Sequence, residues 1–180
     1  MLMKTEPTGL IIVHTGTGKG KTTAALGLAL RAAGYGFRTL MIQFIKGTWR
    51  YGELDAADML APLVDIVPMG KGFIRMDQGG PSDEDRKAVT EAWDFAKARI
   101  QSGGYEMIIL DEITYVMDYG LLEVKDVLEV LRTKPKTLHL VLTGRNAPPE
   151  IIEAADLVTE MKEIKHPYQQ GVKAQKGIEF

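Results

Sequence analysis

The chain has 180 residues and a mass of 19.9 kDa, enough for one hydrophobic core and too few for two independent ones, so one domain over 1–180 is expected. Hydrophobic residues make up 45% and charged residues 26%, ordinary values for a folded globule that exclude disordered, collagen-like and coiled-coil chains. Twenty-two Lys and Arg against 24 Asp and Glu leave a formal net charge of -2, so no global positive field marks nucleic acid or an anionic membrane as a partner.

Leu10-Ile11-Ile12-Val13 is a short continuous apolar run, the pattern of a strand buried on both faces of a parallel sheet, ending near His14. From Gly20 to Ala33 the residues are small and apolar, which predicts a helix able to lie close on a sheet, with Gly34 as its stop. Residues 39–44 read as a second strand, 52–60 as a helix and 64–67 as a shorter strand. Ser82 followed by Asp85 is an N-cap signal, and Val89, Ala92, Trp93, Ala96 and Ile100 recur at helical spacing until Gly103-Gly104. Strands over 107–110, 138–142 and 157–161, with a helix over 123–132, complete an alternation that implies an α/β fold. Pro68–Pro81 is a long Gly-containing loop, expected to be mobile or functional, and 162–180 shows no periodicity.

No apolar run approaches the roughly 20 residues of a spanning helix, and the first residues lack an export signal, so a cytoplasmic protein is expected. With no cysteine, disulfides, thiolate nucleophiles and cysteine-held metals are excluded. The three histidines, His14, His139 and His166, are too scattered to argue for zinc; a hard metal held by oxygens stays open.

The informative stretch is His14-Thr15-Gly16-Thr17-Gly18-Lys19-Gly20-Lys21-Thr22-Thr23, between the first strand and the first helix. A triphosphate needs many N–H donors at close range; glycines let the backbone wrap it, and a helix N-terminus adds its dipole. Lys21 supplies a positive charge for phosphate oxygens and the Thr22 hydroxyl a ligand for Mg²⁺. The general GxxxxGK[ST] pattern is not met, because Thr15 stands where it needs glycine. A flexible turn would explain the glycines but not Lys21 and Thr22 at the start of an Ala-rich helix. Downstream, the strand over 107–110 ends in Asp111-Glu112, which in an open α/β sheet faces the phosphate loop; the pair reads either as metal-ordering carboxylates or as a solvated helix start. Phosphate binding alone leaves a motor or switch NTPase, a small-molecule kinase, and an enzyme that attacks another atom of ATP.

The chain resembles the P-loop ATP:corrinoid adenosyltransferases. The resemblance rests on His14–Thr23 followed by Ala24-Ala25, on Gln43-Phe44-Ile45-Lys46-Gly47-Thr48-Trp49, on Gly52-Glu53, and on Leu110-Asp111-Glu112-Ile113-Thr114-Tyr115. It continues through Thr143-Gly144-Arg145 and the terminal Val172–Phe180, and the shortened loop with Thr15 is the family's own version. It implies a three-layer P-loop NTPase (RecA-like) fold with a mostly parallel central sheet. It also implies transfer of the 5′-deoxyadenosyl group of ATP to cobalt(I) of a corrinoid, with inorganic triphosphate leaving. By the same resemblance, Gly16, Thr17, Gly18, Lys19, Gly20, Lys21, Thr22 and Thr23 cradle the triphosphate, and Gln43 and Lys46 border the nucleotide. Thr22 and Glu112 ligate Mg²⁺ (or Mn²⁺) with Asp111 in support, and Lys21 and Glu112 serve the transfer. Arg145 meets phosphate or a neighbouring carboxylate, unless it is a solvated turn residue. Trp49 and Tyr115 border the site or simply pack, and His14 reads as a hydrogen-bonded strand-end residue.

In Gly72-Phe73-Ile74-Arg75, Phe73 matches an aromatic residue that displaces the lower cobalt ligand in the family, while Arg75 stands where a Trp is expected. An external electron donor, flavodoxin-like or a reduced flavin, and a homodimer are further expectations. Only eight residues precede Gly9, so the covering of a partner's site by a long amino-terminal helix is not expected. The competing reading is a RecA-like ATPase acting as a motor or regulator, for which the loop and Asp-Glu strand end would serve equally. A non-catalytic corrinoid carrier would have little use for a magnesium-ready loop.

Overall fold

The computed structural model describes residues 8–47, 49–72, 74 and 80–179. Six strands form one sheet in the order β3-β2-β4-β5-β1-β6. They are β1 (Ile11–Thr15), β2 (Thr39–Gln43), β3 (Val64–Pro68), β4 (Met107–Asp111), β5 (His139–Thr143) and β6 (Leu157–Glu160), and every neighbouring pair is parallel. The interior strands are apolar almost end to end because helices cover both faces, as parallel sheets require. β3 and β6, at the edges, are only partly buried.

On one face lie α1 (Lys21–Ala33) and α2 (Gly52–Met59), whose Ala25, Ala29, Ala32 and Ala57 pack on Ile12, Met41, Ile109 and Val141. The alanines let α1 approach the strands closely, which brings its N-terminus down to their carboxyl ends. On the other face lie α3 (Asp83–Gln101), α4 (Ile113–Asp118), α5 (Val124–Thr133) and α6 (Pro149–Ala154). Trp93, Ile100, Ile113, Val127 and Ile151 of these helices pack on Val13, Ile42, Leu110 and Leu142. The result is the expected three-layer α/β arrangement.

Element boundaries differ from the sequence pattern by one or two residues, with α4 and α6 as additions. Each of those has six residues, too short to register as a period. Gly34 caps α1 in right-handed conformation, and the left-handed residue that turns the chain away is Gly36. α3 starts as the sequence indicates: Ser82 Oγ accepts from the Asp85 N–H at 3.1 Å, and Asp85 Oδ2 accepts from the Ser82 N–H at 2.9 Å. Among the described residues, no helix is long and apolar enough to cross a membrane.

The reciprocal cap sets an expectation for stability. Ser82→Ala removes one half of it and should lower the unfolding free energy by about 1 kcal/mol, read as a shift of the urea midpoint at unchanged slope. A loss below about 0.3 kcal/mol would mean that the first turn of α3 holds without its cap.

Candidate active site at the carboxyl edge of the sheet

The interior strands are apolar until they end, and there a row of polar side chains replaces them. Gln43 on β2 is in register with Asp111 on β4, and His14 on β1 with Thr143 on β5. Gln43, Asp111 and Thr143 are fully buried and His14 is 7% exposed. The row lies on the face that carries α1, so the N-terminus of that helix sits on it. Asp111 binds the row together. Its Oδ1 accepts from Thr143 Oγ1 at 2.7 Å and from Thr22 Oγ1 of α1 at 2.9 Å, and its Oδ2 accepts from Gln43 Nε2 at 3.4 Å. The sequence expectation that the acidic strand end faces the phosphate loop is met through that Thr22 contact.

The loop between β1 and α1 turns through Gly16 (φ 98°) and Gly20 (φ 108°), both in the region that favours glycine. At Gly16 a Cβ would also stand 2.5 Å from the Met161 carbonyl oxygen, so a side chain is excluded on two counts. Lys21 folds back over the loop and its ammonium donates to the carbonyls of Gly16 (2.9 Å) and Gly18 (2.6 Å). Burial and the charge of Arg145 lower the Lys21 pKa, partly offset by Glu112. Arg145 itself is exposed in the turn that follows β5.

Glu112 is the unusual residue. It has φ 65°, a left-handed conformation rare for a side chain with a Cβ, held by the N–H it donates to Thr143 Oγ1 at 2.9 Å. Its Oε2 is buried with no hydrogen-bond partner among the described residues. Burial, reinforced by the neighbouring Asp111, pushes its pKa up to about 7, against the opposing pull of Lys46 and Lys21. Lys46 is held by an ion pair with Glu53 and lies over the Tyr51 ring, 4.7 Å from its centroid. Burial opposes its charge, but Glu53, Asp111 and Glu112 outweigh burial and raise its pKa.

Two more polar groups are open at this edge: Gln43 Oε1 and both ring nitrogens of His14 are buried without partners among the described residues. His14 is hydrogen-bonded near its strand end through its backbone carbonyl, which accepts from the Gly144 N–H at 3.2 Å, and not through its ring. Burial lowers its pKa. Unsatisfied buried polar atoms cost about 1–3 kcal/mol each. Their clustering here, beside a glycine loop, marks an edge built to receive a polar ligand.

The structure brings Gly16, Gly18, Lys21, Thr22, Gln43, Lys46, Asp111, Glu112 and Arg145 to one edge. Lys19, Thr17 and Thr23 are exposed on the loop and the first turn of α1. Of the two aromatic residues left open by the sequence, Trp49 is 68% exposed and does not pack, whereas Tyr115 is part-buried against the core. Phe73 and Arg75 lie outside the described residues. Sequence reasoning gave no role to Thr143, which joins Asp111 to Glu112, or to Glu53, which fixes Lys46. Thr143 had a signal: it is the polar residue that ends a buried strand, as Asp111 is.

With this geometry in place, comparison with known proteins is informative. The fold is similar to that of the flagellar accessory protein FlaH from Methanocaldococcus jannaschii, with a TM-score of 0.58 over 86% of this chain and 71% of that one at 14% identity, a likeness of fold alone. A corrinoid adenosyltransferase from Sinorhizobium sp is 41% identical, matching 100% of this chain and 84% of its own. The corrinoid adenosyltransferase of Escherichia coli K12 is 42% identical over 96% of this chain and 86% of its own, and that of Salmonella typhimurium LT2 39% identical over 97% and 87%. The model of the ATP:corrinoid adenosyltransferases BtuR/CobO/CobP matches residues 7–180, and the chain belongs to that family.

Proposed function

We propose that this chain transfers the 5′-deoxyadenosyl group of ATP to cobalt(I) of a corrinoid substrate. The observation that carries this reading is the glycine loop and α1 N-terminus set directly on a buried Asp-Glu strand end, in a chain of this family. In the proposed reaction the cobalt(I) electron pair forms the Co–C5′ bond, the C5′–O bond breaks, and its electrons leave with inorganic triphosphate. Negative charge therefore grows on the departing phosphate chain. The groups that would stabilise that chain are the loop N–H donors, Lys21, Lys46 and Arg145, since fixed charges of this kind stabilise a transition state with little reorganisation. No side chain needs to act as nucleophile.

The donor set also fits a hard divalent cation. Among the described residues no three His, Cys, Asp or Glu side chains cluster to enclose a metal. Mg²⁺ commonly takes one or two protein oxygens and completes its shell with phosphate and water. Glu112 has a buried oxygen without a partner among the described residues, and the Thr22 hydroxyl is hydrogen-bonded to the adjacent Asp111. The Asp111 oxygens already accept three hydrogen bonds, which suits a residue that positions Thr22. Thr22 and Glu112 would hold Mg²⁺, which neutralises phosphate charge when bound. We further propose that Phe73 contacts the corrin, that an external reductant supplies cobalt(I), and that the enzyme is a cytoplasmic homodimer, as the family resemblance implies.

The reading is tested anaerobically with MgATP and chemically reduced cobalamin. Formation of the adenosylated corrinoid with stoichiometric triphosphate supports it; steady orthophosphate release without corrinoid would establish the RecA-like ATPase instead. Lys21→Ala should lower kcat/KM by about 10²-fold or more, and full activity would remove the lysine from the site. Phe73→Ala should slow adenosylation of cobalamin while ATP affinity holds; an unchanged rate refutes the corrin contact.

Glu112 gives a pH expectation. Its folded pKa of about 7 lies above the ordinary 4.5, so the folded state holds the proton more tightly than the unfolded one. Its stabilising contribution is full below pH 4.5 and declines as pH rises to 7, by about 3 kcal/mol at most. Metal-free protein should lose unfolding free energy over that window, and Glu112→Gln should flatten the loss. Equal pH slopes in the two proteins would contradict the burial of an ionisable Glu112.

A further inference from the structure

After β6 the chain passes beside the phosphate loop. Met161 accepts the Gly18 N–H at 2.6 Å, and a Cβ on Gly18 would lie 2.9 Å from the Lys162 carbonyl carbon and 3.0 Å from the Glu163 nitrogen. Residues 162–179 then continue with little core behind them: Ile164 is 83% exposed, Tyr168 76% and Ile178 78%. The segment closes on a tight turn in which the Glu179 N–H donates to the Gln175 carbonyl at 2.9 Å, with Gly177 at φ 79°. The turn delivers the Glu179 side chain, 15% exposed, to 3.1 Å from Lys19 Nζ in the phosphate loop.

Two donors that a triphosphate would use are thus engaged by one carboxy-terminal segment: a loop N–H by Met161 and a loop ammonium by Glu179. Resting on the nucleotide reading given above, we propose that this segment is a latch on the phosphate loop, in which the Glu179 carboxylate stands in for a phosphate oxygen and competes with the incoming triphosphate for Lys19. A carboxylate and a phosphate group both present anionic oxygen acceptors to an ammonium. They cannot both hold Lys19 closely without repelling each other. Triphosphate, with its higher charge, wins the exchange, and the lost ion pair is subtracted from its affinity. Because Lys19 is 55% exposed, the subtraction is modest and sensitive to salt, about two- to fivefold in Kd at low ionic strength.

Titration calorimetry with Mg²⁺ and either ATP or inorganic tripolyphosphate tests the latch on the full chain. Glu179→Gln keeps the shape and removes the charge. Gly177→Ala disfavours the turn that aims the side chain, and so serves as an independent variant. Both should bind tripolyphosphate about two- to fivefold more tightly than the parent at low salt, with the gain shrinking as salt is raised. Hydrogen exchange of residues 175–179 in the parent should rise when tripolyphosphate binds. Unchanged affinity in both variants, or added protection of the turn on binding, would overturn the latch. Weaker binding by Glu179→Gln would also overturn it, since the carboxylate would then be holding the nucleotide. These results would leave the nucleotide reading intact, whereas a parent protein that binds neither ATP nor tripolyphosphate would overturn both.

Discussion

A buried carboxylate organises this molecule. Asp111 is fully buried at the end of a central strand, where an uncompensated charge would cost several kcal/mol. It is satisfied by donors from three other elements: Gln43 at the end of β2, Thr143 at the end of β5 and Thr22 in the first turn of α1. None of these can move far without exposing the charge to an apolar surrounding. The ends of β2, β4 and β5 and the start of α1 are thereby held together, and β1, paired with β5, supplies the other anchor of the phosphate loop.

The same constraint divides labour between two adjacent acids. Asp111 follows the strand's alternation, points to the α1 face and has its oxygens occupied. Glu112 comes one residue later and would point away, but its left-handed backbone, paired to Thr143 through its N–H, turns the chain into α4 and keeps the carboxylate within the influence of Lys21 and Lys46. A carboxylate in that position is destabilised when ionised and alone. A cation beside the Thr22 hydroxyl would relieve it. One acid therefore maintains geometry and the other keeps an oxygen without a partner among the described residues, a difference set by one backbone angle.

Much of this was legible in the sequence because a parallel sheet buried on both faces leaves a plain record. Apolar runs such as Met107–Leu110 have no alternation, and the residue that ends each run is polar only where something must meet it. The small residues of α1 announced close packing, and the loop in front of it announced phosphate. What stayed hidden has physical reasons. α4 and α6 are shorter than two helical turns, so their buried Ile113, Val116 and Ile151 have no period to reveal them. That the His14 ring is buried without a hydrogen-bond partner among the described residues depends on the elements packed around it. The contact of Lys19 with Glu179 joins opposite ends of the chain, and no local pattern encodes it.

The ligand-free loop is not a set of waiting donors. Lys21 is spent on the Gly16 and Gly18 carbonyls, the Gly18 N–H on Met161 and Lys19 on Glu179. Each partner resembles, in charge or acceptor character, what a polyphosphate would offer, so the loop is held from within and would lose little conformational freedom on binding one. The cost is that a phosphate contact at any of these three groups would replace an existing one, and only the difference would contribute to affinity. That difference is large where a neutral carbonyl gives way to a charged oxygen, as at Lys21, and small where one anion replaces another, as at Lys19. On the proposed reading, binding energy would be concentrated on Lys21 at the start of α1, where the leaving phosphate chain would need it most.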